Sequence, residues 1–577
     1  MAKKTGARMF AEMMRDYGVT HVFFVPLILP KGLAEMEDMP IQRIMTHGEK
    51  SSAYMADGYA RASGKPGVCL AQVVGGSNLA AGLRDAFMNG TPVIAITGGA
   101  APQMRYRNAY QDLTDDFSQF GPVTKFRARV DTLARFPDML RQAFREATSG
   151  APAPVYLQLQ GPFGDITDGE ADLDTRVEPQ FASIPAFRPE PALASLVDAL
   201  AKLAAAKRPI IVAGGGVMSS GAGPEVVELA EKMQIPLVTS LNAKAIIVDD
   251  HPLAAGISGL YSRDCANFAL HESDLVFFIG SHTGGQVTHS WRFPPPGTPV
   301  IQLDIDPAQL GRNYRNSTSI LGDAKVTLRR MIDMAAPKAP AAAAAWTGRV
   351  QQLVAEWRAE LAPFLNSDAT PIRPERLCKE ISDALPPNGV VVSDTGHAGI
   401  WSGTMISLKH PTQRYYRCAG SLGWGVPGAI GIKCALPDQP VVCFTGDGGF
   451  YYHIGELETA SRYGINIVVV VNNNSSLNQE ITTYDEAYGG KQRGRAAELW
   501  RFPDRDFAKI AEGFGCVGIR VTDPADLKAA LARAFALNKP VVIDVVTDMY
   551  AYAAKPKIPG ASSAAGAGGE VLPGEYK

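Results

Sequence analysis

Short runs of β-branched and aliphatic residues alternate with longer amphipathic segments along most of the chain. The runs are bounded by glycine and proline, and they are apolar throughout rather than at every second position. Continuous apolar strands separated by helices are typical of parallel sheets that are covered on both faces. The pattern therefore predicts an α/β protein built from doubly wound parallel sheets. The runs occupy residues 21–25, 67–74, 92–97, 209–212, 274–279, 300–304, 390–393, 440–444, 465–471 and 540–546.

Two changes of composition divide these runs into three groups. A chain of 577 residues is too long for one core, since domains usually hold about 100–200 residues. Residues 178–191 are rich in proline, and residues 335–345 consist of alanine, proline and one lysine. We expect both segments to be linkers. The sequence thus predicts three domains at residues 1–180, 190–335 and 360–550, followed by a tail at residues 551–577.

Charge and cysteine usage narrow the class of protein. The formal net charge is −2, which gives no electrostatic support for a nucleic-acid partner or a membrane surface. No apolar run approaches the ~20 residues that span a bilayer, and the first residues lack the apolar core of a signal peptide. The seven cysteines are scattered without a CxxC pair. These features predict a cytoplasmic protein without disulfides or a cysteine-built zinc site.

The most informative segment is Thr-Gly-Asp-Gly-Gly at residues 445–449. It follows one predicted strand, and the next strand ends in three asparagines at residues 472–474. A glycine turn between a strand and a helix lets backbone N–H groups approach a diphosphate. Asp447 and an asparagine at the neighbouring strand end would supply the oxygen ligands that Mg²⁺ prefers. By itself a GDGG segment is also typical of an ordinary tight turn. The asparagines at the end of the second strand are therefore needed to indicate a ligand site.

This arrangement resembles the motif that binds thiamine diphosphate (ThDP), in which GDG is followed after a fixed interval by a pair of asparagines. Matching that interval selects residues 473 and 474 from the asparagine triple. The resemblance implies that Asp447, Asn474 and the backbone carbonyl of Ser476 bind Mg²⁺. It also implies that the turn glycines contact the cofactor. These glycines are Gly446, Gly448 and Gly449.

The first block carries a second resemblance to the same superfamily. Residues 46–61 resemble the pyrimidine-domain motif of acetolactate synthases and pyruvate decarboxylases, in which a glutamate precedes a helix reading A-x-M-A-x-G-Y-A-R. Glu49 falls on that glutamate, which hydrogen-bonds the cofactor's pyrimidine ring and promotes loss of the thiazolium C2 proton. Gly75 and Asn78 lie in the place of the family's Gly-Pro-Gly turn. Gln111 falls in a Phe-Gln-Glu-like element near the reacting carbon.

The resemblance spans residue 5 to about residue 550 and implies pyrimidine, middle and diphosphate domains in that order. Residues 420–427 resemble the segment that surrounds the cofactor, with Gly420 in contact and Leu422 as the apolar wedge between its rings. In this superfamily the pyrimidine domain of one subunit meets the diphosphate domain of another. Glu49 and Asp447 would then serve one cofactor in a homodimer or homotetramer.

Departures from the family pattern bear on the reaction. Residues 107–111 lack the His-His pair of pyruvate decarboxylases, which disfavours simple decarboxylation. Glu480 replaces the apolar residues of acetolactate synthases and matches, by spacing, a carboxyl group that transfers protons in pyruvate decarboxylase. His397 is a second candidate catalytic residue. Either side chain could instead be an ordinary loop residue without a catalytic role.

The C-terminal residues suggest a cover over the active site. Tails of oxalyl-CoA decarboxylase and of 2-hydroxyacyl-CoA lyases close over their substrates, and this tail resembles them. Four side chains would offer aromatic and cationic contacts to a CoA-like group. The alternative is a disordered terminus. The four are Tyr550, Tyr552, Lys555 and Lys557.

The middle block carries only weak signals. Three glycines at residues 214–216 follow a predicted strand, but they do not complete a G-x-G-x-x-G fingerprint. Relatives bind ADP or FAD in this domain, or no nucleotide. The sequence leaves these alternatives open.

The leading hypothesis from the sequence is a ThDP- and Mg²⁺-dependent 2-hydroxyacyl-CoA lyase, which releases formyl-CoA and a ketone or aldehyde. The alternative is an acetolactate-synthase-like carboligase that joins 2-keto acids. The substrate would be a small molecule, either an acyl-CoA or a 2-keto acid. A third hypothesis is an inactive binding protein with the ThDP fold. Such a protein would be expected to lose Glu49, Asp447 or Asn474, and all three are present.

Overall fold

The computed structural model describes residues 3–108, 111, 113–553 and 556–559. It contains three six-stranded sheets, each with all of its strands parallel and with helices on both faces. This confirms the predicted fold class. No helix among these residues is both long and apolar enough to cross a membrane.

The first sheet has the strand order β3-β2-β4-β5-β7-β6, and a two-stranded antiparallel pair, β1 and β8, lies beside it. The strands are β1 (Lys4–Thr5), β2 (His21–Phe24), β3 (Gln42–Met45), β4 (Gly67–Ala71), β5 (Val93–Gly99), β6 (Phe126–Val130), β7 (Val155–Gln160) and β8 (Glu170–Ala171). The helices are α1 (Gly6–Asp16), α2 (Pro30–Ala34), α3 (Glu49–Ser63), α4 (Gly76–Met88) and α5 (Phe136–Thr148).

The second sheet has the order β11-β10-β9-β12-β13-β14, which is the doubly wound order of dinucleotide-binding folds. Its strands are β9 (Pro209–Ala213), β10 (Leu237–Thr239), β11 (Ala254–Ile257), β12 (Leu275–Ile279), β13 (Val300–Asp304) and β14 (Asn316–Leu321). The helices are α6 (Leu193–Ala205), α7 (Gly215–Ser220), α8 (Gly223–Met233), α9 (Asp264–Glu272), α10 (Gly285–Thr288) and α11 (Ala324–Met334).

The segment at residues 335–345 is not a linker throughout, which corrects the prediction. Helix α12 (Pro340–Leu365) begins inside it and leads to the third sheet. Proline is tolerated in the first helical turn and alanine is the strongest helix former, so this composition favours a helix once one end is anchored. The buried Trp346 anchors it, because its indole Nε1 donates to the backbone oxygen of Pro209 at 2.8 Å.

The third sheet repeats the connectivity of the first, with the order β16-β15-β17-β18-β20-β19. Its strands are β15 (Val390–Ser393), β16 (Arg414–Arg417), β17 (Val441–Gly446), β18 (Val468–Asn473), β19 (Val517–Val521) and β20 (Val541–Val546). The helices are α13 (Pro374–Ala384), α14 (His397–Met405), α15 (Gly425–Ala435), α16 (Asp447–Tyr452), α17 (Glu456–Arg462), α18 (Ile481–Ala487), α19 (Phe507–Gly513) and α20 (Leu527–Ala536).

Helices α3 and α15 join the first and third sheets through one shared hydrophobic core. Their backbones approach closely, and glycine makes this approach feasible. A Cβ atom at Gly58 would overlap the backbone oxygen of Gly428, and one at Gly431 would overlap that of Met55. The helix that begins with Glu49 is therefore packed rigidly against the domain that carries Asp447.

We expect the Gly431→Ala substitution to destabilise the protein by about 1–3 kcal/mol or more, because neither backbone can move without disturbing the shared core. Gly348→Ala is the matched control. Gly348 lies within α12, and a Cβ atom there would meet nothing within 4 Å. The control should be neutral or stabilising by about 0.5–1 kcal/mol. Differential scanning calorimetry of both variants measures the difference, and equal melting temperatures would contradict this account of the contact.

Candidate active site

In the third sheet, the chain adds β16 on one side of the neighbouring strands β15 and β17 and adds β18 on the other side. The order of the strands therefore reverses between β15 and β17. Crevices at such switch points, beyond the carboxyl ends of parallel strands, are where doubly wound sheets bind ligands. A cavity of about 290 Å³ lies there. Among the predicted site residues, it is lined by His397, Gly420, Leu422, Gly446, Asp447, Gly448, Gly449, Asn474, Ser476 and Glu480.

Asp447 is the buried acidic group of this cavity. Its carboxylate accepts hydrogen bonds from the backbone N–H groups of Gly448, at 2.7 Å, and Ser476, at 3.1 Å. Within the part of the chain that the structure describes, no cationic side chain forms an ion pair with it. Burial raises the pKa of Asp447 to about 7. A buried carboxylate without a cation is costly, and a bound metal ion would offset that cost.

The side chains of the three asparagines at residues 472–474, where β18 ends, point alternately to opposite sides of the sheet. Asn473 points away from the cavity, and its side-chain N–H group donates to the carboxylate of Asp544 at 2.8 Å. Asn472 and Asn474 both line the cavity. The Oδ1 atom of Asn472 is buried and has no hydrogen-bond partner among the described residues. Sequence matching did not single out Asn472, although the two-residue period of a strand places it beside Asn474.

These groups fit a magnesium diphosphate. The described residues contain no cluster of three or more histidine, cysteine or acidic side chains suited to a metal. One carboxylate, one amide and one backbone carbonyl form a different set of hard oxygen ligands, which suits Mg²⁺ shared with phosphate. Space is present as well, because a Cβ atom at Gly446 or Gly420 would meet nothing within 4 Å. The buried Oδ1 atom of Asn472, which has no hydrogen-bond partner among the described residues, and the buried Asp447 carboxylate, which has no cation, point to a bound polar group.

Two buried carboxylates hold the loop that carries Gly420 and Leu422. Asp394, which follows β15, accepts from the backbone N–H groups of Gly423, at 3.0 Å, and Gly425, at 2.9 Å. Asp85 of α4 accepts from the backbone N–H group of Ser421 at 3.0 Å. It accepts from Ala419 as well. The apolar side chain of Leu422 is thus fixed at the cavity wall by groups from two domains.

The predicted proton-handling residues lie on one side of the cavity. The Nδ1 atom of His397 is 2.7 Å from Oδ1 of Asn478, and burial lowers the pKa of the imidazole. Glu480 is exposed and lies just before α18. Tyr261, which follows β11, also lines the cavity, and the sequence offered no motif that pointed to it.

Glu49 lies beyond the carboxyl ends of the strands of the first sheet, as Asp447 does in the third sheet. It is the first residue of α3, and its carboxylate accepts a hydrogen bond from Nδ2 of Asn78 at 3.1 Å. A Cβ atom at Gly75 would overlap this carboxylate, so a larger residue there would displace the side chain of Glu49. Glu49, Gly75 and Asn78 do not line the cavity that holds Asp447. Within one chain the two halves of the predicted site are therefore apart.

Gln111 has a backbone φ of 59°, and its Oε1 atom is buried without a hydrogen-bond partner among the described residues. A non-glycine residue in the left-handed region is uncommon and is often found at functional sites. Its sequence neighbours Tyr110 and Asp112 lie outside the described residues. The catalytic role of Gln111 stays a prediction.

The C-terminal segment passes next to the cavity. The ring centroid of Tyr552 lies 6.4 Å from that of His397, whereas Tyr550 is 68% exposed. Lys557 forms an ion pair with Glu360, and its backbone N–H group donates to Asp264. Lys555 lies outside the described residues. The predicted contacts of these side chains to a CoA-like group stay a prediction.

The middle domain has its own cavity, of about 390 Å³, beyond the carboxyl ends of β9 and β12. The glycines at residues 214–216 line it, and two of them begin α7. Asp304 and Arg417 also line it, so the third domain contributes to its wall. Its position matches the ligand site of doubly wound sheets, and its occupant, ADP or FAD or neither, stays a prediction.

Three family models match the chain. They are the thiamine pyrophosphate enzyme N-terminal TPP binding domain at residues 4–119, the central domain at residues 196–331 and the C-terminal TPP binding domain at residues 394–545. Each match falls on one of the three sheets, in the order implied by the sequence resemblance.

The chain is also similar from end to end to acetolactate synthases. It is 34% identical to the probable acetolactate synthase large subunit of Methanocaldococcus jannaschii, covering 94% of this chain and 92% of that protein. It is 32% identical to the probable acetolactate synthase large subunit of Methanococcus aeolicus, covering 88% and 85%. It is 30% identical to the acetolactate synthase isozyme 1 large subunit of Escherichia coli, covering 94% of each chain.

Proposed function

Because the chain belongs to the thiamine pyrophosphate enzyme family, we propose that this ThDP-dependent enzyme is a carboligase that joins two 2-keto acids with loss of carbon dioxide. The observation that carries the proposal is the similarity to acetolactate synthase large subunits over almost the whole chain. Acetolactate is the product of joining two pyruvate molecules in this way. The relatives thus favour the alternative drawn from the sequence over the leading hypothesis of a 2-hydroxyacyl-CoA lyase.

The lining of the cavity supports a proposed role for several residues in binding the cofactor. Asp447, Asn474 and the backbone carbonyl of Ser476 would bind Mg²⁺, and the turn at residues 446–449 would bind the diphosphate. Leu422 would support the rings. When bound, ThDP supplies a nucleophilic carbon that attacks a carbonyl group and accepts the electrons of the broken bond. The protein's part is to position the reactants, exclude water and move protons.

We propose further that Glu49 of a second copy of the chain completes each site. Within one chain Glu49 lies away from the Asp447 cavity, and α3 is packed too rigidly against α15 to rearrange. The loops that follow the carboxyl ends of the strands of the first sheet, where Glu49 lies, also expose apolar side chains. Leu27 is 54% exposed and Val74 is 52% exposed. Exposed apolar groups beside an incomplete site are typical of an interface between subunits.

Lyase activity on 2-hydroxyacyl-CoA thioesters is the second candidate. One observation favours it: Glu480 and His397 both line the cavity and make this side of it polar. A carboxyl group and an imidazole beside the reacting carbon suit proton transfer to and from a hydroxyl group. Carboligation also forms a hydroxyl group, so these residues are compatible with both reactions.

A mass-spectrometric assay separates the two reactions. The purified protein is supplied with ThDP and Mg²⁺ and offered pyruvate, a second 2-keto acid and 2-hydroxyacyl-CoA thioesters in parallel. The proposal predicts a 2-hydroxy-3-keto acid and carbon dioxide from the keto acids, with the thioesters unchanged. Formation of formyl-CoA and a carbonyl compound from a thioester, without reaction of the keto acids, would replace the proposal with the lyase.

We expect Glu480→Gln to lower kcat by about 10²-fold or more, because glutamine keeps the shape of the side chain but cannot transfer a proton. ThDP affinity should change little, since Glu480 makes no described contact with the Asp447 carboxylate. Glu486→Gln on the exposed side of α18 is the matched control and should retain full activity. Wild-type kcat in the Glu480→Gln enzyme would show that the carboxyl group has no catalytic role.

A further inference from the structure

A short chain of hydrogen bonds links the C-terminal segment to the imidazole of His397. The side-chain Nδ2 atom of Asn478 donates to the backbone oxygens of Met549, at 3.0 Å, and Ala551, at 3.2 Å. The Oδ1 atom of the same amide lies 2.7 Å from Nδ1 of His397. Asn478 is only 3% exposed, so water does not compete for these contacts.

The two carbonyl groups determine how the amide of Asn478 is oriented. A backbone carbonyl oxygen accepts hydrogen bonds and cannot donate, so the NH₂ group of Asn478 must face Met549 and Ala551. Its oxygen must then face His397. Because that oxygen also accepts only, the hydrogen between the two side chains belongs to Nδ1 of His397.

We propose that Asn478 is a positioning residue for His397. It holds the ring in the tautomer with hydrogen on Nδ1, which leaves Nε2 to accept a hydrogen bond from a hydroxyl group of the substrate or product in the cavity. It holds this tautomer while the segment from Met549 to Ala551 is in place. The inference deepens the proposed function, since it concerns the same cavity.

The surroundings of the ring support this role. His397 lines the cavity together with Asp447 and Glu480, and Nδ1 is its only ring nitrogen with a hydrogen bond to a described residue. The rings of Trp401 and Tyr552 lie edge-on to the imidazole, each with its centroid at 6.4 Å. Burial lowers the pKa of the imidazole, which favours the neutral ring that the tautomer requires.

Solid-state nitrogen-15 NMR tests the tautomer without any need for turnover. The chain has nine histidines, which are labelled selectively, and the His397→Gln variant identifies the signals of His397. Spectra are recorded with and without ThDP and Mg²⁺. We expect the Nδ1 signal in the protonated range and the Nε2 signal in the unprotonated range at neutral pH. In the Asn478→Ala variant, both signals should move toward the averaged positions of exchanging tautomers.

The Asn478→Asp variant tests the hydrogen bonds to the two carbonyl groups separately from the hydrogen bond to His397. A carboxylate still accepts from Nδ1 of His397, but it cannot donate to the two carbonyl groups. We expect faster amide hydrogen exchange in residues 549–553 while the His397 signals stay close to the Nδ1-protonated pattern. Asn466→Asp, the same chemical change just before β18 at the opposite edge of the sheet, should leave both measurements as in the wild type.

Two results would overturn the proposal. One is a wild-type spectrum with Nδ1 unprotonated, and the other is identical His397 signals in the wild type and in both Asn478 variants. Failure of the carboligation assay alone would leave the tautomer measurement intact, so the two proposals can fail separately. If Asn478→Ala does not fold, the wild-type spectrum still tests the tautomer, and unchanged amide exchange of residues 549–553 in the nearly isosteric Asn478→Asp variant would contradict the proposed link to the C-terminal segment.

Discussion

Replacing Glu49 with glutamine is expected to lower turnover by about 10²–10⁴-fold while the protein folds and binds ThDP as before. Glutamine has the same shape as glutamate and can still accept the hydrogen bond from Asn78, so α3 and its N-terminus should be unchanged. It cannot exchange a proton with the cofactor's pyrimidine ring, which is the role that we propose for Glu49. Steady-state kinetics gives the loss of turnover, and calorimetry gives the ThDP affinity.

Glu37→Gln is the matched control for this substitution. Glu37 is an exposed carboxylate of the same domain, and it pairs only with Arg43 in the described part of the chain. Its replacement should leave kcat and the melting temperature unchanged. Full activity in the Glu49→Gln enzyme would remove the proposed catalytic role of Glu49.

Replacing Asp447 with asparagine is expected to weaken the Mg²⁺-dependent binding of ThDP. Loss of a residue that merely orients a metal ligand already costs about 10–100-fold in affinity, so loss of the proposed carboxylate ligand should cost at least as much. Isothermal titration calorimetry with ThDP at fixed Mg²⁺ measures the effect. Unchanged ThDP affinity would show that the metal site lies elsewhere.

The same substitution should not destabilise the protein in the absence of cofactor. The pKa of Asp447 is raised by burial from 3.8 to about 7, so ionisation of its carboxyl group weakens the folded state. This penalty is absent below the ordinary pKa, grows as the pH rises toward 7, and is fully present above it. At pH 8 the melting temperature of the Asp447→Asn apoprotein should therefore equal or exceed that of the wild type. A lower value would indicate that Asp447 has a structural role.

The sequence predicted the central strands of the fold better than the edge strands. All six edge strands of the three six-stranded sheets, β3 and β6, β11 and β14, and β16 and β19, were missed. Strand β16 reads RYYR and β3 reads QRIM, because an edge strand is less buried and does not need a continuous apolar run. Two interior strands, β7 and β10, were also missed.

Motif matching identified residues that lie at the carboxyl ends of the strands of two sheets, because the family's motifs follow those strand ends. The sequence did not predict which other residues these side chains contact. Asn478 and His397 are 81 positions apart, and Asn478 and Ala551 are 73 apart. No local pattern encodes such contacts. Asn472 is a different case, since the alternation of β18 could have placed it beside Asn474.

In the proposed oligomer, each active site needs Glu49 from one copy of the chain and Asp447 from another. Subunit complementation tests this sharing of the site. The Glu49→Gln and Asp447→Asn chains are co-expressed with different affinity tags, and mixed dimers are purified through both tags. Such a dimer would hold one site with both substitutions and one site with neither. We predict that two nearly inactive variants give mixed dimers with about half of the wild-type carboligation activity. Mixed dimers as inactive as either parent would contradict a site shared between subunits.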